Sequence, residues 1–179
     1  MRRRIKRKKR VGLVIDFLPM TKGAVLPNRA DRYSIGYDLY TPYDIRVPAH
    51  SRFLLPLGFG IALPFGIEGK IEPRSGFSSK GVEGLGKKYV KKKWWFFHYK
   101  KSVSGKLRFD CDVLVGKIDP GYKDEVHVIL KNNDESFVIP KGTKIAQMSF
   151  YKTLRPRFSF VDELTGFDRG GGLGHTGSK

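Results

Sequence analysis

Arg74, Ser75 and Gly76 stand side by side in this sequence, and Gln147 lies far along the chain from them. An arginine offers a planar fork of donors, a serine a hydroxyl, a glycine an unshielded backbone amide, and a glutamine a neutral amide donor. Together they have the chemistry of a cradle for a phosphate chain, whose negative charges must be held once water is removed. The run Arg169-Gly170-Gly171-Gly172-Leu173-Gly174-His175-Thr176-Gly177 offers a second anion site. Glycines there let successive amides converge on phosphate oxygens while Arg169 neutralises charge. Two carboxylates stand beside turn-forming residues: Asp119 in Ile118-Asp119-Pro120-Gly121-Tyr122 and Asp38 in Gly36-Tyr37-Asp38-Leu39. Each feature also has a plainer reading, as a solvated turn, a disordered glycine-rich terminus, or an aspartate that merely precedes proline.

The elements that must position these groups read as short strands. Residues 11–17, 37–40, 45–47, 52–57, 60–63, 69–72, 113–118, 125–130, 137–139 and 144–151 are β-branched or aromatic runs punctuated by Gly, Pro, Asn and Asp. No apolar period of 3.6 is sustained, so a helix of any length is not expected. So many short strands in 179 residues indicate one all-β domain, a sandwich or barrel. Pro48, Pro64, Pro73 and Pro140 sit at strand edges, where a missing amide proton costs least. Residues 113–118 and 125–130, joined through Asp119, read as a β-hairpin. The tail, 169–179, cannot bury enough apolar surface to order itself and is expected to be mobile until something binds it.

The net charge of +18 points to anionic partners, but it is unevenly placed. Eight of the first ten residues are Arg or Lys, and seven lysines between Lys87 and Lys101 are interleaved with Tyr89, Trp94, Trp95, Phe96, Phe97 and Tyr99. Neither segment holds an acid, so the rest of the chain is close to neutral. Segments 1–10 and 87–101 suit a nucleic acid or other polyanion. The second equally suits a packed face whose lysines reach out to water. No apolar run approaches the ~18 residues that would span a bilayer, and the N-terminus is too basic for a signal peptide. The expectation is therefore an intracellular protein, cytoplasmic or nuclear, with no membrane partner. Cys111 is the single cysteine, which excludes an internal disulfide and makes structural zinc improbable; a buried, inert thiol is expected.

Five separated segments resemble, in order and in type, the five motifs of the trimeric dUTPase family. They are Gly36-Tyr37-Asp38-Leu39, Pro73-Arg74-Ser75-Gly76-Phe77-Ser78-Ser79-Lys80, Gly116 to Tyr122, Gly142-Thr143-Lys144-Ile145-Ala146-Gln147-Met148, and the Gly-rich tail. The resemblance implies a distorted β-barrel of jelly-roll type over 11–168, a basic arm at 1–10, and a phosphate-binding arm at 169–179. It implies hydrolysis of dUTP to dUMP and pyrophosphate, which limits uracil incorporation into DNA and supplies dUMP for dTMP synthesis. Asp119 would be the general base for water attacking the α-phosphorus in line. Tyr122 would pack under the deoxyribose, and the third motif's backbone would read uracil. Ser75 and Gln147 would hold phosphates, Asp38 would play a supporting part, and Mg²⁺ would be held through phosphates and water. Arg169, Gly172, Leu173, Gly174, His175 and Thr176 would close over the nucleotide of a neighbouring subunit in a homotrimer.

The chain departs from that pattern in three places. The tail is one residue shorter, and Leu173 stands where an aromatic that stacks on uracil is usual. About 83–109 is extra between the second and third motifs. Two other functions compete. The related dCTP deaminases share the turn but need a glutamate ten residues after its aspartate, and Ile129 is there instead. A non-enzymatic or dual-role module binding nucleic acid or a partner through the basic segment is the other.

Overall fold

The computed structural model describes residues 12–168, with the side chain of Trp94 set aside. Thirteen strands and one short helix form among them. In order they are β1 (Asp16–Pro19), β2 (Tyr37–Tyr40), β3 (Ile45–Val47), β4 (Arg52–Pro56), β5 (Phe59–Ala62), β6 (Ile67–Glu72), α1 (Ser75–Lys80), β7 (Val82–Trp94), β8 (Phe97–Phe109), β9 (Cys111–Leu114), β10 (Gly116–Ile118), β11 (His127–Asn132), β12 (Phe137–Ile139) and β13 (Lys144–Lys152). The four prolines read as strand edges each follow a strand directly or by two residues: Pro48, Pro64, Pro73 and Pro140. No helix among the described residues is long and apolar enough to cross a membrane.

All strand pairs are antiparallel and fall into four sheets, ordered β1-β5, β10-β6-β13-β2, β4-β11-β9 and β3-β12-β7-β8. The sheets do not close into one continuous ladder, so the barrel is distorted. They share a single core that includes Leu39, Val47, Leu55, Leu57, Leu130, Ile139 and Ile145, each fully buried. Every such side chain contributes roughly 1.5–3 kcal/mol relative to exposure. Alternation selects the buried face: along β11, Val128, Leu130 and Asn132 are buried while Lys131 is exposed. Cys111 is in this core. Burial first, and then the carboxylates of Asp112, Asp110 and Asp134, push its thiol up to about 12.

The sequence reading needs correction at several points, among them the ribbon at 82–109, where no strand was expected, and β11, which runs 127–132 rather than 125–130. Residues 75–80 form a helix, anchored by buried Phe77. The strand expected at 11–17 is β1, at 16–19. The run 113–118 is not one strand of a hairpin. It breaks at Val115, with β9 pairing β11 and β10 crossing to pair β6. Both halves are apolar, so periodicity alone does not tell which neighbour each will choose.

Residues 82–109 fold as a two-stranded ribbon whose register runs without a break from Val82↔Phe109 to Trp94↔Phe97. Only its root belongs to the body, where Leu85 and Gly86 pair with Val138 and Phe137 of β12. There the rings of Phe109 and Phe137 stack face to face, with centroids 4.0 Å apart. The root passes close above them. A Cβ on Gly84 would meet Phe137 Cδ2 at 2.5 Å, and one on Gly86 would meet Phe109 Cζ at 2.8 Å.

Candidate active site

One row of side chains across three strands organises the site. Gln147 in β13 lies opposite Asp38 of β2 on one side and Glu72 of β6 on the other. Residues in register on neighbouring strands share a face. All three line a cleft of about 730 Å³, together with Arg74, Ser75 and Gly76. Pro73 ends β6 and turns the chain into α1, which sets Ser75 and Gly76 in the first helical turn. The Phe77 amide in that turn is already engaged by the Arg74 carbonyl at 2.9 Å, which leaves the Ser75 and Gly76 amides without an intrahelical partner.

Asp38 is 5% exposed, and two cations grip it. Arg74 Nε meets Oδ1 at 2.8 Å. Lys144 Nζ meets Oδ2 at 2.8 Å, as an ion pair rather than a well-aligned hydrogen bond. This close contact with Asp38, and the carboxylate's charge, raise the Lys144 ammonium above its ordinary value. With Nε engaged, the two terminal nitrogens of Arg74 have no protein partner among the described residues. Gln147 donates from Nε2 to the carbonyl of Pro73 at 3.2 Å. Gly36 presses against it, since a Cβ there would stand 2.6 Å from Gln147 Oε1. The cleft adjoins a second space of about 270 Å³ that shares Arg74 and Gly76 and adds Lys144 and Arg108.

Lys144 reaches this face because β13 is irregular. Gln147 pairs with Asp38 and Ala146 with Leu39, but Lys144 pairs with Tyr40, a shift of one residue. Such a bulge re-aims a side chain. In strict alternation Lys144 would point away from Gln147; the bulge brings it round to Asp38 and over the Tyr40 ring, 5.8 Å from its centroid. Sequence reasoning missed Lys144 for that reason. It missed Arg108 because that residue arrives from the far strand of the ribbon.

Tyr122 lies elsewhere. It lines a cavity of about 210 Å³ with Ile118, Lys117, His127 and Ile129, which shares no lining residue with the cleft and carries no carboxylate. Its hydroxyl donates to the carbonyl of Glu125 at 2.7 Å, and burial, Asp124 and Glu125 raise its pKa. Asp119 begins the turn that Tyr122 N closes on the Asp119 carbonyl at 3.1 Å. The Asp119 side chain is exposed and lines neither space. Glu125 pins this loop to the β4–β5 turn by accepting from Gly58 N at 2.6 Å. One chain thus brings together Arg74, Ser75, Gly76, Gln147 and Asp38, and keeps Asp119 and Tyr122 apart from them. Arg169, Gly172, Leu173, Gly174, His175 and Thr176 lie outside the described residues, as does the arm at 1–10.

An antiparallel β-domain whose cleft gathers an arginine, an amide side chain and hydroxyl groups beside two carboxylates defines the class, an all-β distorted barrel. Comparison with known proteins narrows it, because the model of the dUTPase family matches residues 22–100 and 102–177, and the chain belongs to that family. The deoxyuridine 5'-triphosphate nucleotidohydrolase of fowl adenovirus A serotype 1 is 34% identical over 90% of this chain and 76% of its own length. That of Solanum lycopersicum is 33% identical over 88% of this chain and 78% of its own. The fold matches the Staphylococcus bacteriophage 80alpha dUTPase solved with dUPNHPP, at a TM-score of 0.71 and 19% identity, over 92% of this chain and 99% of that one.

Proposed function

We propose that this chain hydrolyses dUTP to dUMP and pyrophosphate, and the observation that carries the reading is the cleft in which Asp38 holds Arg74 beside Ser75, Gly76 and Gln147. Arg74 offers its free terminal nitrogens to the phosphates, and the first-turn amides and Gln147 supply neutral donors around them. Uracil and deoxyribose lie at the third motif, with Tyr122 under the sugar. A strand edge there offers uracil a donor and acceptor pattern that cytosine does not match. Asp119 takes the proton of the attacking water; its exposed carboxylate is not committed to a cation in the described chain. The cavity around Tyr122 is apolar at Ile129, which supports hydrolysis over deamination of the base, a reaction that needs a carboxylate at that position.

Magnesium fits as an ion carried by the substrate. No three His, Cys, Asp or Glu side chains converge among the described residues. The cleft's own carboxylates are taken, Asp38 by Arg74 and Lys144, Glu72 by Lys70 at 3.0 Å. Phosphates and water would hold the ion, as Mg²⁺ prefers, and it would neutralise charge on the departing pyrophosphate.

We also propose that the site is completed between copies in a homotrimer. Asp119 and Tyr122 lie apart from the phosphate cleft of their own chain. Leu154, Phe158, Phe160, Leu164 and Phe167 are almost fully exposed along a segment without helix or strand, apolar surface that a neighbouring copy would cover. The tail from Arg169 to Thr176 would then close over a neighbour's nucleotide. Such an enzyme works where its substrate is made, inside the cell.

Pyrophosphate release from dUTP, dCTP, dTTP and UTP, measured side by side, tests the reading. Only dUTP is turned over efficiently, and Asp119→Asn loses about 10²–10⁴-fold in rate while still binding nucleotide. Comparable turnover of dCTP, or an Asp119→Asn enzyme near the full rate, removes it.

A further inference from the structure

The ribbon β7–β8, with nine Lys or Arg against one Glu, carries eight of the chain's eighteen excess positive charges away from the nucleotide site. Beyond Gly86 it pairs with no other strand among the described residues, and Lys87 to Trp94 extends it by about 26 Å. A free two-stranded ribbon is marginal in water. This one is further burdened, because Lys91 lies directly opposite Lys100. Like charges so placed repel across the ladder. Of the seven lysines from 87 to 101, only Lys88 has an acidic partner among the described residues, Asp134 at 2.6 Å.

Pleating sorts these groups. Register puts Lys87, Lys91 and Lys93 of β7 on one face with Lys100 of β8. Alternate residues on a strand stand about 6.6 Å apart, so Lys91 and Lys93 are one such step apart and Lys87 and Lys91 two. At the tip a two-residue turn would favour Gly, Asn or Asp. Here Trp95 holds φ 51 in the left-handed region, where a bulky residue is strained. Trp95 and Phe96 stack on each other with centroids 5.4 Å apart, and are 78% and 77% exposed. Strain and self-repulsion kept together on an exposed element are expected where a ligand relieves them.

We propose that the ribbon is a binding arm for single-stranded nucleic acid, with Lys87, Lys91, Lys93 and Lys100 following the phosphates and the Trp95–Phe96 platform stacking on an unpaired base. Aromatic faces beside a basic track are how single strands are held without sequence preference. A membrane surface would engage the tip and its nearest lysines, whereas these lysines run down the length of one side.

Four phosphate contacts give a slope of about −2.8 for log affinity against log salt, a loss of roughly 50-fold between 50 and 200 mM. Fluorescence anisotropy of the full chain with a labelled 20-nucleotide DNA strand, its RNA equivalent and the corresponding duplex reads this directly. Lys91→Gln/Lys93→Gln/Lys100→Gln makes the slope shallower by about 2.1, whatever the arm at 1–10 adds to both proteins. Trp95→Gly keeps the turn, since glycine accepts its φ, and weakens single-strand binding by at least about fivefold. Both variants retain dUTP turnover. The inference is overturned if the triple variant binds with the parent's affinity and slope, or if Trp95→Gly leaves single-strand and duplex binding alike. Capture by phosphatidylserine/phosphatidylcholine vesicles without oligonucleotide binding assigns the arm to membranes instead. Loss of assembly or of dUTP turnover in the triple variant assigns it to subunit packing. Because turnover is read separately, failure of the arm leaves the hydrolase reading standing.

Discussion

Replacing Asp38 with Asn tests whether this carboxylate acts by holding Arg74 or by taking part in the chemistry. The change keeps the size and removes the charge that both Arg74 Nε and Lys144 Nζ meet at 2.8 Å. Breaking a buried charge pair costs about 3–5 kcal/mol when the stranded partner stays buried. Here the Arg74 and Lys144 side chains are 35% and 41% exposed, so both can rehydrate once released. The expected loss is then nearer the ~2 kcal/mol of a charged hydrogen bond, or about 4–8 °C in Tm for a chain of this size. Melting is compared at one fixed protein concentration, because assembly makes Tm concentration-dependent. In steady-state kinetics the freed guanidinium binds phosphates less well in ground and transition states alike, so KM rises about tenfold with kcat near the parent's value. Double substitution with Arg74→Met should add little further loss, since the two residues act as one unit. An unchanged Tm refutes the ion-pair account. A fall in kcat at constant KM refutes the orienting role and makes Asp38 part of the chemical step.

Alkaline unfolding should report Cys111. Its folded pKa of about 12 lies above the ordinary 9.0, so its contribution is intact below pH 9 and lost as pH climbs towards 12, at about 1.4 kcal/mol per pH unit. Urea denaturation at pH 8, 9 and 10 should show Cys111→Val lacking that one-proton slope, and an unchanged slope would place the ionisation elsewhere. Gly86→Ala should cost ~1–3 kcal/mol by overpacking, because its Cβ would press on the Phe109–Phe137 stack; a neutral result in urea melts would show that the rings yield.

Legibility varied with how local each feature is. Strands β2, β3 and β12 were readable to the residue, since each is a short β-forming run closed by turn residues. The anion cradle was readable in part, because Arg74, Ser75 and Gly76 are contiguous and Gln147 sits in a strand of clear alternation. Helix α1 was not, as six residues complete too few turns to display a period. The ribbon escaped because lysine-rich runs do not look like strands, and what pairs them is a thirteen-residue register. The break at Val115 escaped because partner choice is decided across the sheet. The distance between Tyr122 and the phosphate cleft is likewise a property of the packed chain, not of any motif's spacing.

The bulge between Lys144 and Ala146 makes the site sensitive to the length of β13 as well as to its composition. Substitutions around it change one contact at a time. Deleting Ile145 would remove the extra residue and restore an even ladder, and by parity Lys144 would keep its face: it would stand two residues from Gln147, as Tyr40 stands two from Asp38. Such a deletion removes a buried side chain but leaves Asp38 both of its cations. A deletion at Met148 would instead turn Gln147 away from the face it shares with Ser149, whose partner is Lys70. In a library of single-residue deletions along β13, the losses of activity should therefore be sharper beyond Gln147 than at residues 144–146.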